Sequence, residues 1–156
     1  MKITICAVGR LRSGPERELF DDYRTRFDRI GRGLGLGPIA EVEVDARKAS
    51  GIGPEAVLLS NAMPAGAFVV VLEERGRQIG SPEFAQRLVT WRDRGSRDLA
   101  FVIGGADGLS PDLRSAADYE LSLGRMVWPH MLARVMLAEQ LYRAASILAG
   151  TPYHRA

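Results

Sequence analysis

A chain of 156 residues with 46% apolar side chains can bury a core as one domain without disulfides or structural metal. Its single cysteine, Cys6, excludes a disulfide framework or a cysteine-built zinc site within one chain and suits a reducing compartment. The net charge of +2 argues against a protein that coats nucleic acid by charge alone. Neither a secretory signal nor a membrane-length apolar stretch is present, so a cytoplasmic protein with no membrane partner is expected.

Strand-like runs fall at residues 3–8, 39–44, 68–72 and 99–103, with a fifth, weaker run at 119–127. Between them, helix starts follow one grammar: Gly14-Pro15-Glu16, Gly53-Pro54-Glu55, Ser81-Pro82-Glu83 and Ser110-Pro111-Asp112. Each offers a capping residue, proline at the first helical position and a carboxylate where the helix dipole favours it. A long fifth helix follows Pro129 and ends at Gly150 before Pro152, with Leu132, Val135, Met136, Leu141 and Leu148 as core candidates. This βα alternation predicts an α/β fold, a mostly parallel sheet flanked by helices on both faces. The unbroken apolar run at 68–72 predicts a central strand, and the glycines at 31, 33, 35 and 37 a short linker.

Positive charge gathers at the C-terminal end, where residues 121–156 carry four arginines against one glutamate. In open parallel sheets, ligands bind beyond the carboxyl ends of strands. Three segments there carry candidate chemistry: residues 72–77, residues 103–110 containing Gly104-Gly105, and residues 123–130. Paired glycines after a strand let main chain approach a ligand; taken alone, the pair reads first as a tight turn needing positive φ. Neither a dinucleotide fingerprint nor a phosphate loop is present. Arg134 lies one turn beyond His130 and reads either as a guanidinium for phosphate or for a cofactor carboxylate, or as a solvated salt bridge. The tail Tyr153-His154-Arg155 combines ring, imidazole and guanidinium, a set suited to an unstacked base and its phosphate.

Three blocks in order, Ile103-Gly104-Gly105 with Gly108-Leu109-Ser110, Pro129-His130 with Arg134, Glu139-Gln140 and Tyr142-Arg143-Ala144, and Pro152-Tyr153-His154-Arg155, resemble the RlmH family of SPOUT-class methyltransferases over the whole chain. The resemblance implies a SPOUT-type domain over residues 1–156 with a C-terminal trefoil knot, an exception to the rule against knotted chains. It implies S-adenosyl-L-methionine as cofactor, N3 of a pseudouridine in 23S large-subunit ribosomal RNA as substrate, and rRNA processing as the process served. It also implies a homodimer in which the tail, residues 151–156, acts at the interface. The cofactor would bind at Leu72, Gly104, Gly105, Leu123, Gly124, Arg125, Met126, Val127 and Trp128. Gly124 and Val127 stand where many relatives carry hydroxyl residues, which shifts the expected contacts there to main chain.

Transfer from a sulfonium is an in-line displacement whose leaving group needs no metal, so alignment is the main task. The imide N3 attacks as its proton leaves. His130 or His154 is the expected proton acceptor, with water as the alternative, and Arg134 or Arg155 the expected phosphate ligand. The modest charge favours assembled ribosomes over free RNA as partner, and no DNA. The competing readings are a non-catalytic ribosome-associated RNA-binding protein on the same fold and a flavin or nucleotide enzyme.

Overall fold

The computed structural model describes residues 1–45, 47 and 50–155. Five strands, β1 (Lys2–Val8), β2 (Ile39–Val44), β3 (Phe68–Gln78), β4 (Asp98–Ile103) and β5 (Tyr119–Ser122), form one sheet in the order β2-β1-β4-β3-β5. Every pairing is parallel. The helices are α1 (Pro15–Gly31), α2 (Ile52–Ala62), α3 (Ser81–Asp93), α4 (Pro111–Ala116) and α5 (His130–Ala149), with a 3-10 turn at Arg32–Leu34. None of the described helices is long and apolar enough to cross a membrane.

Alternation along β1 divides the interior. Ile3, Ile5 and Ala7 join Phe20, Phe27, Phe84, Leu88, Trp91, Leu137 and Leu141, so α1, α3 and α5 cover one face. Cys6 and Val8 point the other way, onto Leu59 and Leu113 of α2 and α4. Both faces being covered explains why β4, rather than β3, takes the centre: Leu99, Ala100, Phe101, Val102 and Ile103 are all buried. The expectation for residues 68–72 is corrected to an interior strand one place from the edge.

The proline grammar locates the helix starts, and the caps differ in detail. Ser110 Oγ accepts the Leu113 N–H at 3.1 Å and caps α4. The caps of α2 and α3 are Gly51 and Gly80, two residues and one residue ahead of the expected Gly53 and Ser81. Arg134, Ala138, Ala144 and Ala145 form part of the buried face of α5, whereas Leu132 is exposed. Of the expected core candidates Val135 and Leu141 are buried, and Leu148 packs against the core.

Two strand ends depart from expectation. β5 stops at Ser122, because Gly124 at φ 119° takes the chain out of the sheet. β3 continues past Leu72: Leu121 pairs with both Leu72 and Arg77, so residues 73–76 bulge out of the ladder before pairing resumes. Gly76 lies at the base of that excursion, where a Cβ would meet the Glu120 carbonyl at 2.8 Å.

Candidate functional site

At the carboxyl ends of β4 and β5 and at the excursion of β3, residues 72–75, 103–109 and 123–128 form a cleft of about 400 Å³, with His130 and Ala133 of α5 on its wall. Small-molecule sites occupy about 300–1,000 Å³, so the space suits a nucleoside-sized ligand. Of the residues expected to bind a cofactor, Leu72, Gly104, Gly105, Leu123, Gly124, Met126, Val127 and Trp128 line the cleft. Arg125 is exposed in the same loop without lining it.

The paired glycines have a spatial explanation. Positive φ in this turn belongs to Gly108, at 79°, and not to Gly104 or Gly105. Gly108 N–H donates to the Gly105 carbonyl at 3.1 Å and closes the loop. A Cβ on Gly104 would fall 2.7 Å from the Gly108 carbonyl oxygen, and one on Gly105 3.1 Å from Glu55 Oε2 and 3.2 Å from Val8. The tight-turn explanation therefore applies to Gly108, and close approach to the pair.

Two features of the walls had no separate sequence signal. Ser122 Oγ donates to the Glu74 carbonyl at 3.0 Å and accepts the Gly124 N–H at 3.1 Å, strapping the β3 excursion to the loop after β5. Glu55, whose position in the first turn of α2 reads as a dipole partner, is buried behind Gly105 with Oε2 lacking a hydrogen bond. On the outer wall, Arg114 bridges Glu73 at 3.4 Å and Glu120 at 3.0 Å.

Arg134 departs from the phosphate-binding expectation. Its side chain is wholly buried. Nη1 donates to Glu41 Oε2 at 3.1 Å and Glu43 Oε2 at 2.7 Å, while Nη2 donates to the carbonyls of Val8 and Gly9 at 3.3 and 3.0 Å. These partners hold both terminal nitrogens inside the protein, with Nε buried and without a hydrogen bond, and neither a solvated salt bridge nor a free phosphate ligand describes the group. His130, one turn earlier, remains half-buried on the cleft wall, with Nε2 3.5 Å from where a Cβ on Gly9 would stand.

The tail does not line this cleft. Tyr153 Oη donates to Glu139 Oε1 at 2.9 Å, its ring lies 4.5 Å from that of Tyr142, and the Arg143 guanidinium sits 4.8 Å over it. Burial, then the bond to Glu139, holds the Tyr153 phenol well above the ordinary tyrosine range. Arg143 also forms the expected ion pair with Glu139 and reaches His154 Nδ1 with Nη1 at 3.4 Å. A guanidinium only donates, so Nδ1 accepts and the neutral ring carries its proton on Nε2. Arg155 is exposed at the end of the described chain. With Arg134 and Arg143 both paired internally, the C-terminal charge excess does not form one free basic patch.

A family model described as predicted SPOUT methyltransferase matches residues 1–154. Curated relatives named ribosomal RNA large subunit methyltransferase H are 64% identical in Ruegeria pomeroyi, 68% in Roseobacter denitrificans and 65% in Dinoroseobacter shibae, each covering 99% of both chains. A solved structure of a probable methylase family protein from Haemophilus influenzae Rd KW20 shares the fold at a TM-score of 0.52 and 17% identity, covering 99% of this chain and 70% of that one. Sequence and architecture agree, and this chain belongs to the SPOUT methyltransferase family.

Proposed function

We propose that this protein transfers the methyl group of S-adenosylmethionine to N3 of a pseudouridine in 23S ribosomal RNA, as a cytoplasmic homodimer acting on assembled ribosomes. The observation that carries the reading is the convergence of the β3 excursion and the segments after β4 and β5 on one cleft, lined at Gly104, Gly105 and Gly124. Main-chain edges at such glycines suit the adenine and ribose of a nucleoside donor without a phosphate loop. The full-length relatives named as large-subunit ribosomal RNA methyltransferases supply the substrate class.

The cofactor, when bound, supplies an activated methyl carbon and a neutral leaving group. The residues of the chain then have two tasks, placing N3 in line and managing its proton. His130 lies on the cleft wall, makes no side-chain hydrogen bond among the described residues, and takes the N3 proton as the N–C bond forms and the C–S bond breaks. His154, with Nδ1 committed to Arg143, presents Nε2–H and donates to an imide oxygen of the base. Arg155 meets the adjoining phosphate.

Because the tail lies outside the cleft of its own chain, His154 and Arg155 act on the site of the partner subunit. The exposed apolar run Met126, Val127 and Trp128, 72%, 81% and 41% accessible, is the surface that a second copy covers. The family's trefoil knot would tie together the same loops that wall the cleft.

Calorimetric titration with S-adenosylmethionine and mass spectrometry of ribosomal RNA from a deletion strain test the reading. Saturable binding and loss of one methyl group from a pseudouridine are expected; no binding to the dimer, or unchanged RNA, overturns it. His154→Gln keeps an N–H near the Nε2 position and retains most single-turnover activity, whereas His154→Asn does not. Equal loss in both variants removes the donor role.

A further inference from the structure

The loop between β1 and α1 shows what the buried Arg134 supports. Leu11 is buried, its N–H donates to Glu43 Oε2, and Arg17 Nε donates to its carbonyl at 3.1 Å. Gly9 N–H donates to the Val44 carbonyl at 3.0 Å, and Gly9 O accepts from Arg134 at 3.0 Å. Arg17 also meets Glu41 at 2.9 Å and Glu43 at 3.6 Å. The main chain is thus fastened on both sides of Arg10 and again just before Arg12. Both arginines project exposed, and neither has an ion pair or hydrogen bond among the described residues. Glu41 and Glu43, the latter bonded to the loop at Leu11 N–H, are paired with Arg134 and Arg17. Gly9 adjoins His130, so the loop stands at the rim of the cleft.

We propose that residues 9–13 form a pre-organised clamp for the RNA backbone, in which Arg10 and Arg12 grip phosphates flanking the target base, and Arg134 acts as a positioning residue through Glu43 and Gly9. The proposal rests on the ribosomal RNA reading above. Two unpaired guanidiniums on a loop whose backbone is already ordered lose little entropy on binding, and each presents a fork matched to phosphate. Neither lines the cleft, which separates this surface from it.

Methylation kinetics on ribosomes lacking the modification, across a salt series, test the clamp. Arg10→Ala and Arg12→Ala are expected to raise KM about tenfold each at unchanged kcat and unchanged affinity for S-adenosylmethionine. In the double variant the slope of log(kcat/KM) against log[salt] falls by about 1.4, close to 0.7 for each phosphate left without its guanidinium. Arg10→Lys and Arg12→Lys retain the slope. Glu43→Gln discriminates further: removing a negative charge should tighten RNA binding by simple electrostatics, whereas loss of the brace raises KM. An unchanged KM and salt slope in the double variant overturns the clamp, and a KM lowered by Glu43→Gln overturns the brace. A wild-type protein that neither binds S-adenosylmethionine nor methylates ribosomes instead refutes the underlying function.

Discussion

Replacing Arg134 with methionine keeps much of the apolar stem and deletes four hydrogen bonds: two to carboxylates, at 3.1 and 2.7 Å, and two to carbonyls, at 3.3 and 3.0 Å. Removing one partner of a buried ion pair costs about 3–5 kcal/mol, because the remaining charge stays behind without compensation. Compensation here is partial, since Arg17 remains 2.9 Å from Glu41 and 3.6 Å from Glu43. The expected cost therefore sits near the lower end, about 3 kcal/mol. At about 2–4 °C per kcal/mol for a domain of this size, the midpoint falls by about 6–12 °C. Differential scanning calorimetry reads the loss, and Arg134→Met combined with Glu43→Gln should destabilise less than the sum of the singles, because both act on one network. A variant that melts like the wild type would refute the buried-network account, whatever its KM for ribosomes.

Gly104→Ala drives a Cβ to 2.7 Å from the Gly108 carbonyl oxygen, a backbone atom that cannot swing aside. A loss of about 1–3 kcal/mol in stability and about a hundredfold in methylation rate is expected by thermal melting and single-turnover assay; near-normal activity would place the donor elsewhere. On the homodimer proposed above, Trp128→Ala weakens self-association by about 2 kcal/mol or more, measured by sedimentation velocity, with the monomer still folded by circular dichroism; an unaltered dimer would exclude this loop from the interface. Burial pushes the Cys6 thiol up to about 11 from 9.0. The unfolded chain then ionises first, so this group's contribution is complete below about pH 9 and is lost as pH rises toward 11. Chemical denaturation over that range should show a steeper decline in the wild type than in Cys6→Ala, and equal slopes would discount it.

Local signals carried the elements, because proline, caps and apolar runs act within a few residues of where they stand. Long-range partners decided the rest. Arg134 shares a helical face with His130 by spacing, yet its acids lie on β2, 93 and 91 residues away, and a guanidinium destined for burial has the same local pattern as a free one. The apolar residues 126–128 extend the β5 pattern in sequence but are exposed, since local hydrophobicity does not distinguish a buried run from an exposed one. Residues 72–77 read as a segment beyond the strand, while Arg77 and Gln78 return to pair with β5. The positions of Gly104 and Gly105 in the cleft were legible from the strand preceding them, but the atoms that exclude a side chain, the Gly108 carbonyl and the Glu55 carboxylate, come from chain folding back.

The bulge of β3 makes one wall of the cleft a spacer of fixed length. Leu72 and Arg77 both register against Leu121, so the number of residues between them is set by the ladder on either side. Inserting or deleting a residue there would slip Arg77 and Gln78 by one position, reverse the facing of their side chains, and loosen the short β5 from which the last loop departs. Variation in this wall should accordingly proceed by substitution at constant length, leaving changes in reach to the loop after β5, whose far end is anchored on a helix rather than on a strand.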